Sequence, residues 1–129
     1  MKPEIQELLT RAKGTLDEAR LLAEAGYHSG VVSRSYYAMF YSALAMLQSQ
    51  GVVTKTHPGT IGKFGDIFAK TGLVDRKFGR SLNEAFELRM GADYGVQASR
   101  STSPEAPSGQ LERATEFVTM ADGFLMRCG

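Results

Sequence analysis

Three residues near the end of a predicted helix, Arg89, Asp93 and Tyr94, have side chains that could bind or process a phosphate. Arg89 follows Phe86 by three residues and Ala85 by four, so its cation falls at the edge of an apolar helix face. There the Arg89 side chain either donates hydrogen bonds to the last carbonyls of its own helix or presents its planar, charged guanidinium group to a phosphate or carboxylate between helices. Asp93 and Tyr94 add a carboxylate and a phenol within one turn. Spacing alone leaves both interpretations open.

The two histidines, His28 and His57, are the other candidates for acid–base chemistry. Each comes before a predicted helix and beside residues that commonly cap helices, which favours local hydrogen bonding, although either could act as a general base. The sequence contains no His-Glu-x-x-His motif, no Walker-type Gly-x-x-x-x-Gly-Lys motif and no Gly-x-Gly-x-x-Gly motif. We therefore expect neither a metal site nor a cofactor.

The segment 31–47 must form the central helix, because nearly all of its residues are aliphatic or aromatic. A stripe of mostly small side chains runs along one side of it and consists of Arg34, Ala38, Tyr41, Ser42, Ala45 and Ser49. This stripe serves either internal packing or a homodimer interface in which Arg34 and Tyr41 supply polar contacts. The aromatic residues Tyr36, Tyr37, Phe40, Tyr41 and Tyr94 could stack on nucleic acid bases, although their spacing is also typical of a core.

Helical periodicity recurs in four more segments, which begin near Ile5, Ile61, Asp75 and Leu111. The helix that begins near Ile5 is expected to end at Gly26, and the helix that begins near Asp75 is expected to end at Gly91. No segment has the alternation of a strand. The sequence therefore predicts an all-α fold, an antiparallel up-and-down bundle of about five helices in a single domain over residues 1–129, with a flexible loop over about 95–109.

The composition is ordinary for one globular domain, with 129 residues of which 43% are hydrophobic and 22% charged. A single cysteine, Cys128, excludes an intramolecular disulfide and a cysteine zinc cluster. The N-terminal residues lack the apolar run of a signal peptide, and Arg34 interrupts the apolar central segment. We expect a cytoplasmic protein without a membrane-spanning segment. The net charge of +1 argues neither for nor against a polyanionic partner.

Several short runs of the sequence together resemble the HEPN (higher eukaryotes and prokaryotes nucleotide-binding) family, in particular its small stand-alone prokaryotic branch. The runs are Tyr27-His28, 33–41 (SRSYYAMFY), Thr56-His57 with Phe64 and Phe68, 79–83 (GRSLN) and 89–94 (RMGADY). The similarity extends from Ile5 to about Leu125. It implies a helical homodimer that acts with a small nucleotidyltransferase as a toxin–antitoxin-type pair.

Catalytic members of this family are metal-independent endoribonucleases with an Arg-x(4–6)-His motif, in which Arg stabilises phosphate charge and His moves a proton. The arginine matches Arg89, but positions 94–96 hold Tyr94, Gly95 and Val96 and no histidine. Tyr94 could act as a hydrogen-bond donor or a weak base, and Asp93 could orient Arg89. The tyrosine that some family toxins carry two residues after the histidine, where adenylate is attached, corresponds to Val96, which leaves Tyr94 as the conceivable acceptor.

Three hypotheses follow from the resemblance and the residues together. The first is a nucleotide- or RNA-binding homodimer with a nucleotidyltransferase partner and with Arg34, Tyr41, His57 and Arg89 as ligand contacts. The second is a ribonuclease toxin that uses Arg89, Asp93 and Tyr94 as an altered catalytic set. The third is a non-catalytic helical dimerisation module in which the same polar residues form a structural network.

Overall fold

The computed structural model describes the backbone of residues 1–94 and 105–128 and the side chains of residues 1–91 and 109–127. Within these residues the chain forms five helices and no strand, so the predicted all-α class is confirmed. The helices are α1 (Pro3–Ala25), α2 (His28–Ser49), α3 (His57–Phe64), α4 (Arg76–Tyr94) and α5 (Glu105–Cys128). A π-helical turn, Gly65–Ala69, continues α3 directly. None of the helices in the described ranges is both long and apolar enough to cross a membrane.

The turn between α1 and α2 depends on Gly26, as the sequence predicts. Gly26 has a φ of 83°, in the left-handed region that glycine adopts without steric cost, and its N–H bonds back to the carbonyls of Leu22 and Ala23. The chain therefore reverses within two residues. As a result, α1 and α2 pack against each other as an antiparallel pair.

Helix α2 is the centre of the bundle, since it alone contacts all four other helices of the described chain. Its small residues Ala38, Ser42 and Ala45 are fully buried inside the bundle, and the Ser42 hydroxyl donates to the Ala38 carbonyl at 2.9 Å. This part of the predicted stripe therefore serves internal packing. Arg34 and Tyr41 are only partly buried and remain at the surface.

A cluster of phenylalanines holds α3 and its π-helical continuation against α5. Phe64 and Phe68 are both fully buried, and their ring centroids lie 5.2 Å from Phe117 and 5.4 Å from Phe124, respectively. Two exposed ion pairs join other helices to α5, Lys13 of α1 to Asp122 at 3.3 Å and Lys77 of α4 to Glu116 at 3.2 Å. Exposed pairs of this kind contribute little stability, so burial of the phenylalanines contributes more.

Two predicted boundaries were wrong. Helix α4 does not stop at Gly91 but continues to Tyr94, because a glycine within a helix costs only about 1 kcal/mol and can be tolerated. The predicted loop over 95–109 is helical from Glu105 onward, since Pro107 falls in the first turn of α5, where a proline disrupts no helical hydrogen bond. Residues 95–104 lie outside the described part of the chain.

Candidate functional site

A hydrogen bond between α2 and the start of α3 forms the inner part of the candidate site. The hydroxyl of Tyr36 lies 2.6 Å from Nδ1 of His57, and Tyr36 has no solvent exposure. His57 is held at the first position of α3 by Thr56, whose hydroxyl accepts the N–H of Gly59 at 2.9 Å. Burial raises the pKa of the Tyr36 phenol well above its ordinary value, against the smaller opposing effect of the Arg89 charge. Tyr36 is therefore a neutral phenol at pH 7.

Aromatic rings surround His57. Its imidazole stacks on Phe40 with centroids 4.3 Å apart and planes 9° apart, and the ring of Phe86 from α4 lies 6.2 Å away. Burial lowers the pKa of His57 below its ordinary value of 6.5, and the positive charge of Arg89 lowers it further. The imidazole is therefore neutral at pH 7, as a general base or a neutral donor must be.

Arg89 packs over two tyrosine rings. Its guanidinium carbon lies 4.9 Å from the centroid of Tyr37 and 5.7 Å from that of Tyr36. Such cation–π contacts are worth about 0.5–2 kcal/mol, depending on how far the pair is desolvated. Helix α4 continues to Tyr94, so Arg89 lies before the last turn, which contains no basic residue. The guanidinium group of Arg89 lies against two tyrosines of α2.

Tyr37 joins the predicted ligand contacts into one surface. Its ring centroid lies 5.4 Å from the guanidinium carbon of Arg34, 5.7 Å from the ring of Tyr41 and 6.0 Å from the ring of His57, in addition to the contact with Arg89. All four predicted ligand contacts therefore surround one side chain. We call Arg34, Tyr37, Tyr41, His57 and Arg89 the Tyr37 surface.

In the sequence-based predictions, Tyr36 and Tyr37 appear only among the aromatic residues that could stack on bases, and not among the predicted catalytic residues or ligand contacts. The signal for Tyr37 was present, because Arg34 and Tyr41 lie three residues before and four residues after it and must share its helix face. Tyr36 and Phe40 are core residues with exposures of 0% and 8%, so the idea that they stack on bases fails. Tyr37 and Tyr41 are only partly buried and remain accessible.

The predicted catalytic residues Asp93 and Tyr94 belong to the last turn of α4, and their side chains lie outside the described residues. Their roles stay predictions. A cation lies beside Tyr41 as well, since the guanidinium carbon of Arg11 is 5.5 Å from its ring centroid, and Arg11 also pairs with Glu7 at 3.5 Å. Among the described side chains, no three His, Cys, Asp or Glu residues come together as a metal site would require.

The Tyr37 surface brings together groups whose chemistry suits an anion. It combines two guanidinium groups from α2 and α4 with a neutral imidazole from α3, all in contact with one partly buried phenol ring. The planar guanidinium group can donate two parallel hydrogen bonds to two oxygens of a phosphate, and an imidazole supplies a directional hydrogen bond. These are the groups that recognition of a phosphate ester requires.

The sequence matches the HEPN domain over residues 5–127, which is nearly its whole length. The chain belongs to the HEPN family. Among the relatives of this HEPN protein, a UPF0332 protein of Gloeobacter violaceus is 38% identical over 97% of this chain and 98% of its own length. A UPF0332 protein of Thermotoga maritima is 34% identical over 89% of this chain and 80% of its own length.

A further relative comes from Methanocaldococcus jannaschii and bears the name "Putative toxin MJ0605". It is 35% identical over 84% of this HEPN protein and 79% of its own length. The family and the fold expected from the sequence resemblance are therefore confirmed.

Proposed function

We propose that this HEPN protein binds a phosphate-bearing ligand, a nucleotide or RNA, at the Tyr37 surface. The observation that carries the proposal is the convergence of two arginines from different helices on one partly buried ring, at 5.4 Å for Arg34 and 4.9 Å for Arg89. Arg34 makes no ion pair with any residue whose side chain is described. A cation held in place by a ring loses less rotamer entropy when an anion binds.

The proposal includes a homodimer and a partner enzyme. Helix α2 is buried on most sides, but Arg34, Tyr37, Tyr41, Leu44 and Gln48 form one partly exposed line along it. Tyrosine and arginine are the residue types that interfaces favour, which supports a second copy of the chain along this line, with the ligand in the cleft between the two copies. Membership of the HEPN family and the "Putative toxin" name of a relative support a toxin–antitoxin-type context. The small nucleotidyltransferase partner is the part of the proposal that only the sequence resemblance implies.

A metal-independent ribonuclease is the second candidate function. One observation favours it, because the imidazole that is absent from positions 94–96 is present in the same cluster as Arg89, in the form of His57. In this hypothesis Arg89 stabilises charge on the phosphate, His57 donates a hydrogen bond or a proton to it, and Asp93 or Tyr94 acts as the general base.

Equilibrium binding tests the main proposal. The affinity of a fluorescently labelled single-stranded RNA and of ATP is measured for the wild type, Arg89→Ala, Arg89→Lys and Arg80→Ala. Arg80 is an exposed arginine of the same helix and serves as the matched control. A lost charge-assisted contact is worth about 1.5–3 kcal/mol, so Arg89→Ala should weaken binding roughly ten- to a hundredfold, with Arg89→Lys in between. Equal affinities for the Arg89→Ala and Arg80→Ala variants would contradict the proposal.

Expression in a bacterial host separates the candidate functions. Growth and total RNA integrity are followed for the wild type and Arg89→Ala, with circular dichroism to confirm that the variant folds. RNA cleavage by the wild type alone supports the ribonuclease, whereas binding without cleavage supports the main proposal. If Arg89→Ala fails to fold and no ligand binding is lost with it, the result supports the structural network instead.

The oligomeric state and the partner need their own measurements. Light scattering coupled to gel filtration should report a dimer for the wild type and a monomer for Leu44→Asp, while Leu21→Asp, at an exposed apolar position of α1, should stay dimeric. A monomeric wild type would contradict the homodimer. Coexpression with a small nucleotidyltransferase, followed by intact-mass measurement, tests whether Tyr94 accepts adenylate.

A further inference from the structure

We infer that His57 donates a hydrogen bond from Nε2–H to the phosphate bound at the Tyr37 surface, and that Tyr36 is the positioning residue that fixes this tautomer. The inference rests on the proposed function and adds to it the role and proton position of one side chain. It starts from the hydrogen bond between the Tyr36 hydroxyl and His57 Nδ1 at 2.6 Å.

The proton of the Tyr36 hydroxyl determines the tautomer of His57. Tyr36 has no solvent exposure, and among the described residues its hydroxyl makes one hydrogen bond, to Nδ1 of His57. If Nδ1 carried the imidazole proton, the buried phenol proton would have no acceptor in this part of the chain. Nδ1 must therefore accept the phenol proton. A neutral imidazole then carries its own proton on Nε2.

Both partners of this hydrogen bond are neutral at pH 7. Burial opposes the phenolate form of Tyr36 and the imidazolium form of His57. The titratable and charged groups that face His57 are Tyr36 and Tyr37 from α2 and Arg89 from α4, while Phe40 and Phe86 are apolar. The positive charge of Arg89 disfavours a second positive charge on the imidazole. No described carboxylate contacts His57 to offset this effect.

The packing of His57 leaves the Nε2 edge of its ring for a ligand. The two ring nitrogens of an imidazole point away from each other, and the Nδ1 edge faces the buried hydroxyl. One face of the ring stacks on Phe40, yet the residue as a whole is only partly buried. His57 and Arg89 both lie against Tyr37, and Arg89 is near enough for its charge to lower the pKa of His57, which is consistent with one phosphate group receiving hydrogen bonds from both.

This proton position limits the chemistry of His57. An imidazole with its proton on Nε2 and its Nδ1 bonded to a phenol donates to a phosphate oxygen but has no free lone pair for the proton of a ribose 2′-hydroxyl. His57 therefore binds and orients the ligand, and it does not replace the general base that is missing from positions 94–96.

Nitrogen NMR of the imidazole rings tests the inference directly, because the chain contains two histidines. The spectrum of His28→Gln assigns both rings, and the ring nitrogen shifts distinguish the two neutral tautomers. We expect the Nε2–H tautomer for His57 in the wild type at pH 7. The Tyr36→Phe variant should lose this fixed preference, whereas Tyr37→Phe should keep it. An Nδ1–H tautomer in the wild type would overturn the inference.

Titration with inorganic phosphate and with adenosine monophosphate tests the ligand contact. The Nε2–H signal of His57 should shift in the wild type but not in Arg89→Ala, and the His28 signals should not move. His57→Phe should weaken binding of adenosine monophosphate about tenfold or more, and His57→Gln, which retains an N–H donor, should restore part of it. Binding that depends on Arg89 but leaves the His57 signal unchanged would overturn the inference and leave the proposed function intact. Absence of any binding that depends on Arg89 would refute both.

Discussion

Removing the Tyr36 hydroxyl should destabilise this HEPN protein by about 1–2 kcal/mol. Tyr36→Phe keeps the buried ring and its contacts with Tyr37, Phe40, His57 and Phe86, whose centroids lie 5.2–5.8 Å away, and removes only the hydroxyl. The lost hydrogen bond contributes about 0.5–1.5 kcal/mol. Nδ1 of His57 then has no hydrogen-bond donor. An unsatisfied buried group costs roughly 1–3 kcal/mol, and only part of this penalty applies here because water reaches the partly buried imidazole.

Urea unfolding followed by far-UV circular dichroism measures this effect. Tyr37→Phe is the matched control, since the Tyr37 hydroxyl makes no hydrogen bond within the described residues, and its free energy of unfolding should stay within about 0.5 kcal/mol of the wild type. A double-mutant cycle with His57→Phe should give a coupling energy of about 1 kcal/mol. Equal stabilities for Tyr36→Phe and Tyr37→Phe, or additive effects in the cycle, would refute the assigned hydrogen bond.

Three further predictions concern stability. Because folding lowers the pKa of His57, the unfolded chain binds more protons than the folded chain at mildly acidic pH. The free energy of unfolding should therefore fall as the pH drops below 6.5. Urea titrations should reveal a smaller fall for His57→Phe. Phe64→Ala should cost about 3–5 kcal/mol in the same assay, because Phe64 is fully buried. Gly26→Ala should cost about 1–2 kcal/mol, since φ is 83°, whereas Gly14→Ala, within α1 and with open space beside it, should raise the thermal midpoint.

Periodicity was sufficient to predict the helices of the bundle. The apolar spacing in α1 and α5 indicates the faces that are buried, and the nearly uniform apolarity of α2 indicates its central position. Local signals failed at two helix boundaries. Gly91 did not end α4, and Pro107 did not exclude a helix. Single glycines and prolines cost too little, at these positions, to decide the outcome.

The candidate site was only partly predictable. Arg34 and Tyr41 share a helix face with Tyr37, so that part of the surface follows from sequence spacing. The pairing of Tyr36 with His57 does not, because 21 residues separate them and only the packing of α3 against α2 brings them together. The fact that Arg89 faces α2 likewise depends on how α4 packs, which no local pattern encodes.

The salt dependence of RNA binding tests most directly whether Arg34 and Arg89 contact phosphate. The dissociation constant of a single-stranded RNA is measured over a range of salt concentrations for the wild type, Arg34→Ala, Arg89→Ala and Arg80→Ala. Each lost phosphate contact should reduce the slope of log affinity against log salt by about 0.7, so the first two variants should have shallower slopes than the wild type and Arg80→Ala. Identical slopes for all four proteins would contradict a phosphate-binding site at the Tyr37 surface.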